Sequence, residues 1–315
     1  MKALLLNDTR TEDHIGCQLG IENILLCCQK NNIHIIDTVK LGEDPCLRVQ
    51  EKLNAFDTII LNGEGTMHHD APRALKYMIA LKMAKSANKK CVIINSVWQD
   101  NFLLNQFLDS CDLIFCREGL SAKEINKQGK DCQVVPDMTF YKDLPPNKTT
   151  YYKDILVVDS VDKSFTKKLW WFAFRNRFRF LAMTSGYATY MNKYKLRRLL
   201  SFLSFGGVPP KPGKVTLPLI EGSQKIVTGR FHAICLAMLY KKAFAAFSSN
   251  THKVEGLLND IGLPTEIILS RNEPLDKSKI LNALAACDQK SNLIDEYITS
   301  SRKKIDEMFF KISQL

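Results

Sequence analysis

Thr58-Ile59-Ile60-Leu61-Asn62-Gly63-Glu64-Gly65-Thr66 decides the fold. A short apolar, β-branched run stops at an asparagine. Two glycines then turn the chain, and a helical pattern follows over about Ala71–Ala87. Glycines at such a turn let the backbone approach a ligand, and the turn exposes amides near a helix start. The same alternation extends in both directions. Lys2–Leu6, Ile33–Thr38, Cys91–Asn95, Leu113–Cys116 and Gln133–Val135 read as strands. About Gln18–Lys30, Pro45–Ala55, Asn101–Leu108 and Ser121–Gln128 read as helices. Alternating strand and helix predicts a parallel sheet covered on both faces, with ligands at the carboxyl ends of its strands.

Leu144-Pro145-Pro146-Asn147-Lys148 breaks this series and reads as a linker. A second series starts at Ile155–Asp159 and continues with strands Lys225–Thr228, Ala243–Phe247 and Glu266–Leu269. Arg230–Tyr240 and Lys253–Asp260 read as helices between them, and a long helical pattern, about Asn292–Ile312, closes the chain. A chain of 315 residues suits two domains. The expected architecture is therefore α/β, with two Rossmann-like domains, 1–145 and 150–315, facing a cleft. The last helix is long enough to cross back onto the first domain.

Charge is uneven. Residues 1–145 hold 17 Lys+Arg and 19 Asp+Glu, whereas the remainder holds 27 and 14. Lys163 to Lys214 carries 12 basic residues and no acidic one, interleaved with Trp170-Trp171-Phe172 and Arg175-Asn176-Arg177-Phe178-Arg179-Phe180. Such a stretch predicts an anionic partner, and its aromatics favour a membrane interface over nucleic acid, for which no motif is present. The alternative is an ordinary solvated domain face. The first apolar run ends at Asn7, too short for a secretory signal, and no run of 18 apolar residues occurs. Ten cysteines include no CxxC pair and sit mostly in apolar runs, as expected for reduced thiols in a cytoplasmic protein.

Polar residues collect at the predicted strand ends. Glu64, between Gly63 and Gly65, is joined by Thr66, His68, His69 and Asp70. The adjacent histidines project apart, so no metal site is expected there. Thr228-Gly229-Arg230-Phe231-His232 lies at another strand-to-helix junction, where a helix N-terminus favours anions and an arginine adds a bidentate fork. Histidine there can donate a proton or stabilise charge, the structural alternative being a satisfied core imidazole. Ser248-Ser249-Asn250-Thr251-His252-Lys253 offers Lys253 to a phosphate, with capping by Asn250 or Thr251 as the structural alternative. Asp8, Arg10, His14 and Gly16 form the first strand-end loop. Arg117-Glu118 and Pro136-Asp137 end two more strands, and an Arg117–Glu118 ion pair is the plain reading of the former.

These motifs resemble the polysaccharide pyruvyl transferase family: Gly63-Glu64-Gly65 after a strand, Arg117-Glu118 with Ser121 in the next helix, Pro136-Asp137, Gly229-Arg230-Phe231-His232-Ala233, and Lys253 opening a helix. The resemblance runs over about residues 1–265. It departs where many members carry a glycine triplet, and in the basic stretch 163–214. It implies two Rossmann-like domains arranged like the GT-B glycosyltransferases, phosphoenolpyruvate as donor, and a sugar of a surface polysaccharide such as capsule or lipopolysaccharide as acceptor. The product it implies is a pyruvate ketal, and it carries Arg117, Arg230 and His232 over as the donor-binding and catalytic set.

The chemistry suits these residue types. Phosphoenolpyruvate presents a phosphate and a carboxylate, which arginines and a helix N-terminus can hold. Its enol carbon must gain a proton while a sugar hydroxyl attacks the neighbouring carbon, which needs an acid and a base. His232 is the candidate acid, and Glu64 or Asp137 the candidate base. Lys253, Ser249 and Asn250 join Arg117 and Arg230 on the donor side. Asp8, His14, Gly16, Gly63, Gly65, Thr66 and His68 are candidate acceptor or loop positions. No cofactor and no metal are expected. The expected partners are a glycan or lipid-linked sugar and, through 163–214, the anionic inner leaflet. Two other readings remain open: a metal-independent GT-B glycosyltransferase using a nucleotide sugar, since no Asp-x-Asp element occurs, and a non-catalytic glycan-binding protein.

Overall fold

Leu4, Leu5 and Leu6 send side chains to alternate faces of β1 (Lys2–Asp8), and the helices on both faces bury all three. In the computed structural model, which describes residues 1–12, 14–146, 155–183 and 212–315, this strand lies inside a parallel sheet. Its neighbours are β2 (His34–Lys40), β3 (Thr58–Glu64), β4 (Lys90–Ser96), β5 (Leu113–Cys116) and β6 (Gln133–Val134), in the order β2-β1-β3-β4-β5-β6. Leu4, Leu6, Ile59, Leu61, Cys91 and Ile93 face one core, packed with Val49, Tyr77, Met78 and Leu81. Those partners come from α2 (Pro45–Lys52) and α3 (Pro72–Ser86). Ala3, Leu5, Ile60, Val92 and Ile94 face the other, with Ile21, Ile24 and Cys28 from α1 (Ile15–Lys30). Ile305, Met308, Phe309 and Ile312 of the C-terminal helix (Ser291–Ser313) complete that second core. Apolar residues on both sides of each strand are what a doubly covered parallel sheet requires.

The second sheet is built alike from β7 (Ile155–Ser160), β8 (Arg179–Leu181), β9 (Lys225–Gly229), β10 (Ala243–Phe247) and β11 (Ile268–Leu269). Its order is β11-β10-β9-β7-β8, and every pairing is parallel. In each sheet the domain's first strand therefore lies between its second and third. The winding reverses between β1 and β3, and again between β7 and β9. Such a switch point opens a crevice at the strands' carboxyl ends, the usual place for a ligand in open α/β sheets.

The division of the chain is not linear in sequence. One compact unit comprises Met1–Glu12, Cys17–Lys142 and Thr299–Leu315, whereas the segment leading into α1, including His14 and Gly16, groups with the described residues of 143–298.

Three departures from the sequence reading have physical causes. Within the basic stretch, Lys163–Arg175 is a helix, α6, capped by the Asp162 carboxylate, which accepts from Ser164 and Phe165 amides. Phe165, Leu169, Phe172 and Ala173 recur at helical spacing and fill the second domain's core against Val157, Val227 and Phe247. Most of the described aromatics there are thus buried or packed against the core. Residues 184–211 of that stretch, like Asn147-Lys148 of the linker, lie outside the described residues. Over 101–108 the helix stops after one turn, as α4 (Phe102–Asn105), and a 3-10 turn follows at Leu108–Ser110. Among the described residues the remaining helices are α5 (Gly119–Asn126), α7 (Pro212–Gly222), α8 (Phe231–Leu239), α9 (Lys253–Ile261), α10 (Lys277–Asp288) and α11, the C-terminal helix. Of these, α7 and α10 went unread in the sequence. All ten cysteines are free thiols. Among the described residues no helix is long and apolar enough to cross a membrane.

Candidate functional site

In the first domain β3 ends in a left-handed residue, Glu64 at φ 43°, and β1 and β4 carry one just before their last, Asn7 at φ 63° and Asn95 at φ 54°. Asparagine tolerates this conformation, whereas a glutamate there carries strain of order 1 kcal/mol or more. The strand ends are locked by side chains. Asn7 Nδ2 donates to Asn62 O at 2.7 Å, Asn95 Nδ2 to Asn62 Oδ1 at 3.0 Å, and Tyr77 OH to Asn7 Oδ1 at 3.1 Å. The Met138 amide donates to Asn95 Oδ1 at 3.2 Å, which ties the segment after β6 to the same row. Gly63 has no room for a side chain, because a Cβ would overlap Ser96. Thr66 Oγ1 sits at the margin, 3.5 Å from Asn7 Nδ2.

Glu64 is buried and accepts a hydrogen bond from Thr9 Oγ1 at 3.0 Å. Glu12 and Cys17 stand in its field. Burial and the Glu64 charge push the Glu12 carboxyl up, and burial with both glutamates holds the Cys17 thiol well above its usual range. Asp8 is engaged by Arg10, whose Nε lies 3.0 Å and Nη2 2.5 Å from its oxygens. Burial opposes ionisation of Asp8, but its bonds to Arg10 and Thr38 prevail and lower its pKa.

Arg117 pairs with Asp137 rather than Glu118. Its Nη1 lies 3.1 Å from Asp137 Oδ2, and the side chains are 1% and 0% exposed. Asp137 also accepts from the Thr139 amide and hydroxyl, and so caps the turn at Met138–Tyr141. Glu118 caps α5 through the Leu120 and Ser121 amides and the Ser121 hydroxyl. Gly65 lies over the arginine, since a Cβ there would stand 3.8 Å from Arg117 Nη2. Asp70 caps α4, accepting from the amides of Phe102, Leu103 and Leu104. The His68 and His69 rings touch each other through Nδ1 atoms 2.8 Å apart.

In the second domain the switch point between β7 and β9 is spanned by an ion pair. Arg230 Nε and Nη2 lie 3.0 Å and 2.7 Å from the Asp159 oxygens. Burial raises the Asp159 pKa, and Arg230 restrains that rise. Gly229 lies against Ser160, where a Cβ would come within 2.7 Å of the serine side chain. Arg230 is the N-cap of α8, and His232 is that helix's second residue. The His14 ring meets the His232 ring edge-on, with centroids 5.1 Å apart. Burial, His232, Arg230 and Lys253 together hold His14 well below the usual imidazole range, so it is neutral at pH 7. Gly16 backs the His232 ring. Lys253 is buried at the start of α9 and donates to Asn250 Oδ1 at 2.7 Å, and Ser249 Oγ donates to the same oxygen at 3.2 Å. Asn250 and Thr251 do not stand at the N-cap of α9, which is His252, and no side chain makes a capping bond from that position.

The second domain thus gathers His14, Gly16, Arg230, His232, Ser249, Asn250 and Lys253. The first gathers Asp8, Gly63, Glu64 and Thr66 at its switch point and keeps Arg117 with Asp137 beneath. Sequence reading missed Asp159, although it ends the second domain's first strand, the place Asp8 holds in the first.

The match to a family model decides the family. Residues 19–206, more than half of the chain, match the model of the polysaccharide pyruvyl transferases. The chain belongs to the polysaccharide pyruvyl transferase family. The matched span of this pyruvyl transferase family member contains Glu64, Arg117 and Asp137 and ends before Arg230, His232 and Lys253. No curated protein matches the sequence. Solved structures share the two-domain α/β fold seen in GT-B glycosyltransferases and UDP-GlcNAc 2-epimerases. S. aureus MnaA with UDP aligns at TM-score 0.59 and 12% identity, over 93% of this chain and 91% of that one. Methanocaldococcus jannaschii UDP-GlcNAc 2-epimerase with UDP-GlcNAc and UDP aligns at 0.58 and 11%, over 95% and 100%. Arabidopsis thaliana UGT89C1 with UDP-L-rhamnose aligns at 0.53 and 9%, over 99% of each. At these identities the likeness is one of fold.

Proposed function

We propose that the protein transfers the pyruvyl group of phosphoenolpyruvate onto two hydroxyls of a surface-polysaccharide sugar, forming a ketal and releasing phosphate. The observation that carries this reading is the gathering of Arg230, His232 and Lys253 where α8 and α9 begin, in a member of this family. Helix N-termini and cations favour a ligand carrying both phosphate and carboxylate.

The first hydroxyl oxygen attacks C2 of the enol while C3 takes up a proton. The second hydroxyl then displaces phosphate from C2, and its proton leaves with the phosphate. His232 supplies the proton to C3. Neutral His14 against its ring limits the positive charge His232 must share when it carries that proton. Arg230, held by Asp159, and Lys253 hold the phosphate and carboxylate. Glu64 is the proposed base for the sugar hydroxyl, because it is a carboxylate buried at the end of β3 that already accepts from a hydroxyl, that of Thr9. Arg117 and Asp137 act as a supporting pair.

Thermal shift with phosphoenolpyruvate and with a panel of nucleotides and nucleotide sugars, followed by phosphate release with oligosaccharide acceptors, tests the proposal. Stabilisation by phosphoenolpyruvate supports it, whereas stabilisation by nucleotide sugars alone overturns it. His232→Ala should fold normally and lose about 10²–10⁴-fold in turnover. Arg230→Ala should first weaken donor binding, by about 1.5–3 kcal/mol.

A further inference from the structure

The solvent side of α6 carries chemistry that the transfer reaction does not use. Lys163, Lys167, Trp171 and Arg175 recur every fourth residue and form one exposed stripe along the helix, with Lys168 beside it. The opposite side, Phe165, Thr166, Leu169, Trp170, Phe172 and Ala173, is buried. Trp171 is 51% exposed, although it is a large apolar side chain between cations. It is held rather than splayed: its ring meets Trp170 at 5.1 Å and Phe174 at 5.7 Å, nearly perpendicular to both, while Trp170 stacks on Phe174. No acidic residue occurs from 163 to 214.

We propose that this stripe is a docking surface for an anionic lipid bilayer, with Lys163, Lys167, Lys168 and Arg175 at the headgroups and Trp171 as the interfacial anchor. A stripe of cations suits a surface of uniformly negative charge, and an indole fixed among them suits the boundary between headgroups and acyl chains. A nucleic-acid duplex, with its bases stacked inside, would satisfy the cations and leave the indole without its apolar partner. The inference stands apart from the identity of the transferred group, since none of these residues belongs to the candidate donor or acceptor sites.

The test is flotation of the full chain with phosphatidylcholine vesicles and with phosphatidylcholine–phosphatidylglycerol vesicles, at low and high salt. Binding to the anionic vesicles alone, weakening with salt, is expected. Each lysine changed to glutamine should weaken partitioning about fivefold, so Lys163→Gln/Lys167→Gln/Lys168→Gln should lose on the order of a hundredfold. Trp98 and Trp170 are buried, so a blue shift of indole emission on binding should report Trp171 and vanish in Trp171→Phe. All of these positions are exposed, and melting curves should not move. Equal flotation with neutral vesicles, undiminished binding by the triple variant, or binding to duplex DNA with none to vesicles would each overturn the proposal.

Discussion

Arg230 lays two guanidinium nitrogens on the Asp159 carboxylate, one at 3.0 Å and one at 2.7 Å, across the point where the second sheet reverses its winding. The Asp159 side chain is 1% exposed and that of Arg230 14%. One edge of the arginine is thereby fixed, and its direction is set before any ligand arrives.

Removing the carboxylate leaves a largely buried guanidinium without its counter-charge. Breaking a buried pair from one side typically costs about 3–5 kcal/mol. Asp159→Ala should therefore lose stability on that scale in urea denaturation, while Asp159→Asn, which keeps the shape and one acceptor, should lose less. An Asp159→Ala protein as stable as wild type would show that the pair is not formed.

His14 makes folding pH-dependent. Its folded pKa is depressed below 6.5, first by burial and then by His232, Arg230 and Lys253, whereas in the unfolded chain it titrates normally. Below about pH 6.5 the unfolded state then binds the extra proton, so stability falls as pH drops from there toward the folded pKa. Denaturant melts between about pH 7 and about pH 5 should show that loss in wild type and a shallower one in His14→Asn. Parallel pH curves for the two proteins would contradict the assignment.

Much of the fold was legible because parallel strands are short apolar runs with polar punctuation. The row β1 to β6 was read from that pattern, and the strand-end residues at Asp8, Glu64 and Arg230 came with it. α6 was hidden by its composition. Six cations and seven aromatics between 163 and 180 point to a surface by composition, while the spacing of Phe165, Leu169 and Phe172 follows a helix facing a core. The true partner of Arg117 was also hidden. Sequence offers Glu118 next door, yet neighbouring residues on an extended segment point apart, and the pairing with Asp137 arises from adjacent strands. His14 could not be tied to His232 from sequence, because 218 positions separate them and only the folded chain brings the rings together.

The two candidate bases separate in experiment. Asp137 bonds Arg117 and caps a turn, so Asp137→Ala should lose several kcal/mol of stability, about 3–5 by the measure for a broken buried pair. Glu64→Gln retains an acceptor for Thr9 and should melt close to wild type while turnover falls about 10²-fold or more. Full turnover in a folded Glu64→Gln protein would remove Glu64 from the chemistry.

Two glycines in α1 provide an internally controlled test of the histidine. Neither Gly16 nor Gly20 has the left-handed backbone that would exclude alanine, and helix propensity alone favours alanine at both by about 1 kcal/mol. Their surroundings differ. A Cβ on Gly20 meets nothing within 4 Å, whereas one on Gly16 would overlap the Cγ and Cβ of His232. Gly20→Ala should therefore raise the melting temperature and leave turnover unchanged. Gly16→Ala must move the imidazole or the start of the helix. Turning the ring relieves the Cγ contact but not the Cβ contact, so the backbone that carries His232 shifts as well and takes the imidazole out of place. Turnover should accordingly fall toward that of His232→Ala, about 10²-fold or more, with a smaller change in melting than in rate. In a His232→Gly background, which removes the ring and its Cβ together, Gly16→Ala should cost no further activity, because both atoms that the methyl meets are gone. If Gly16→Ala turned over like Gly20→Ala, the position of the His232 ring would not matter to the reaction, and its role as proton donor would fall.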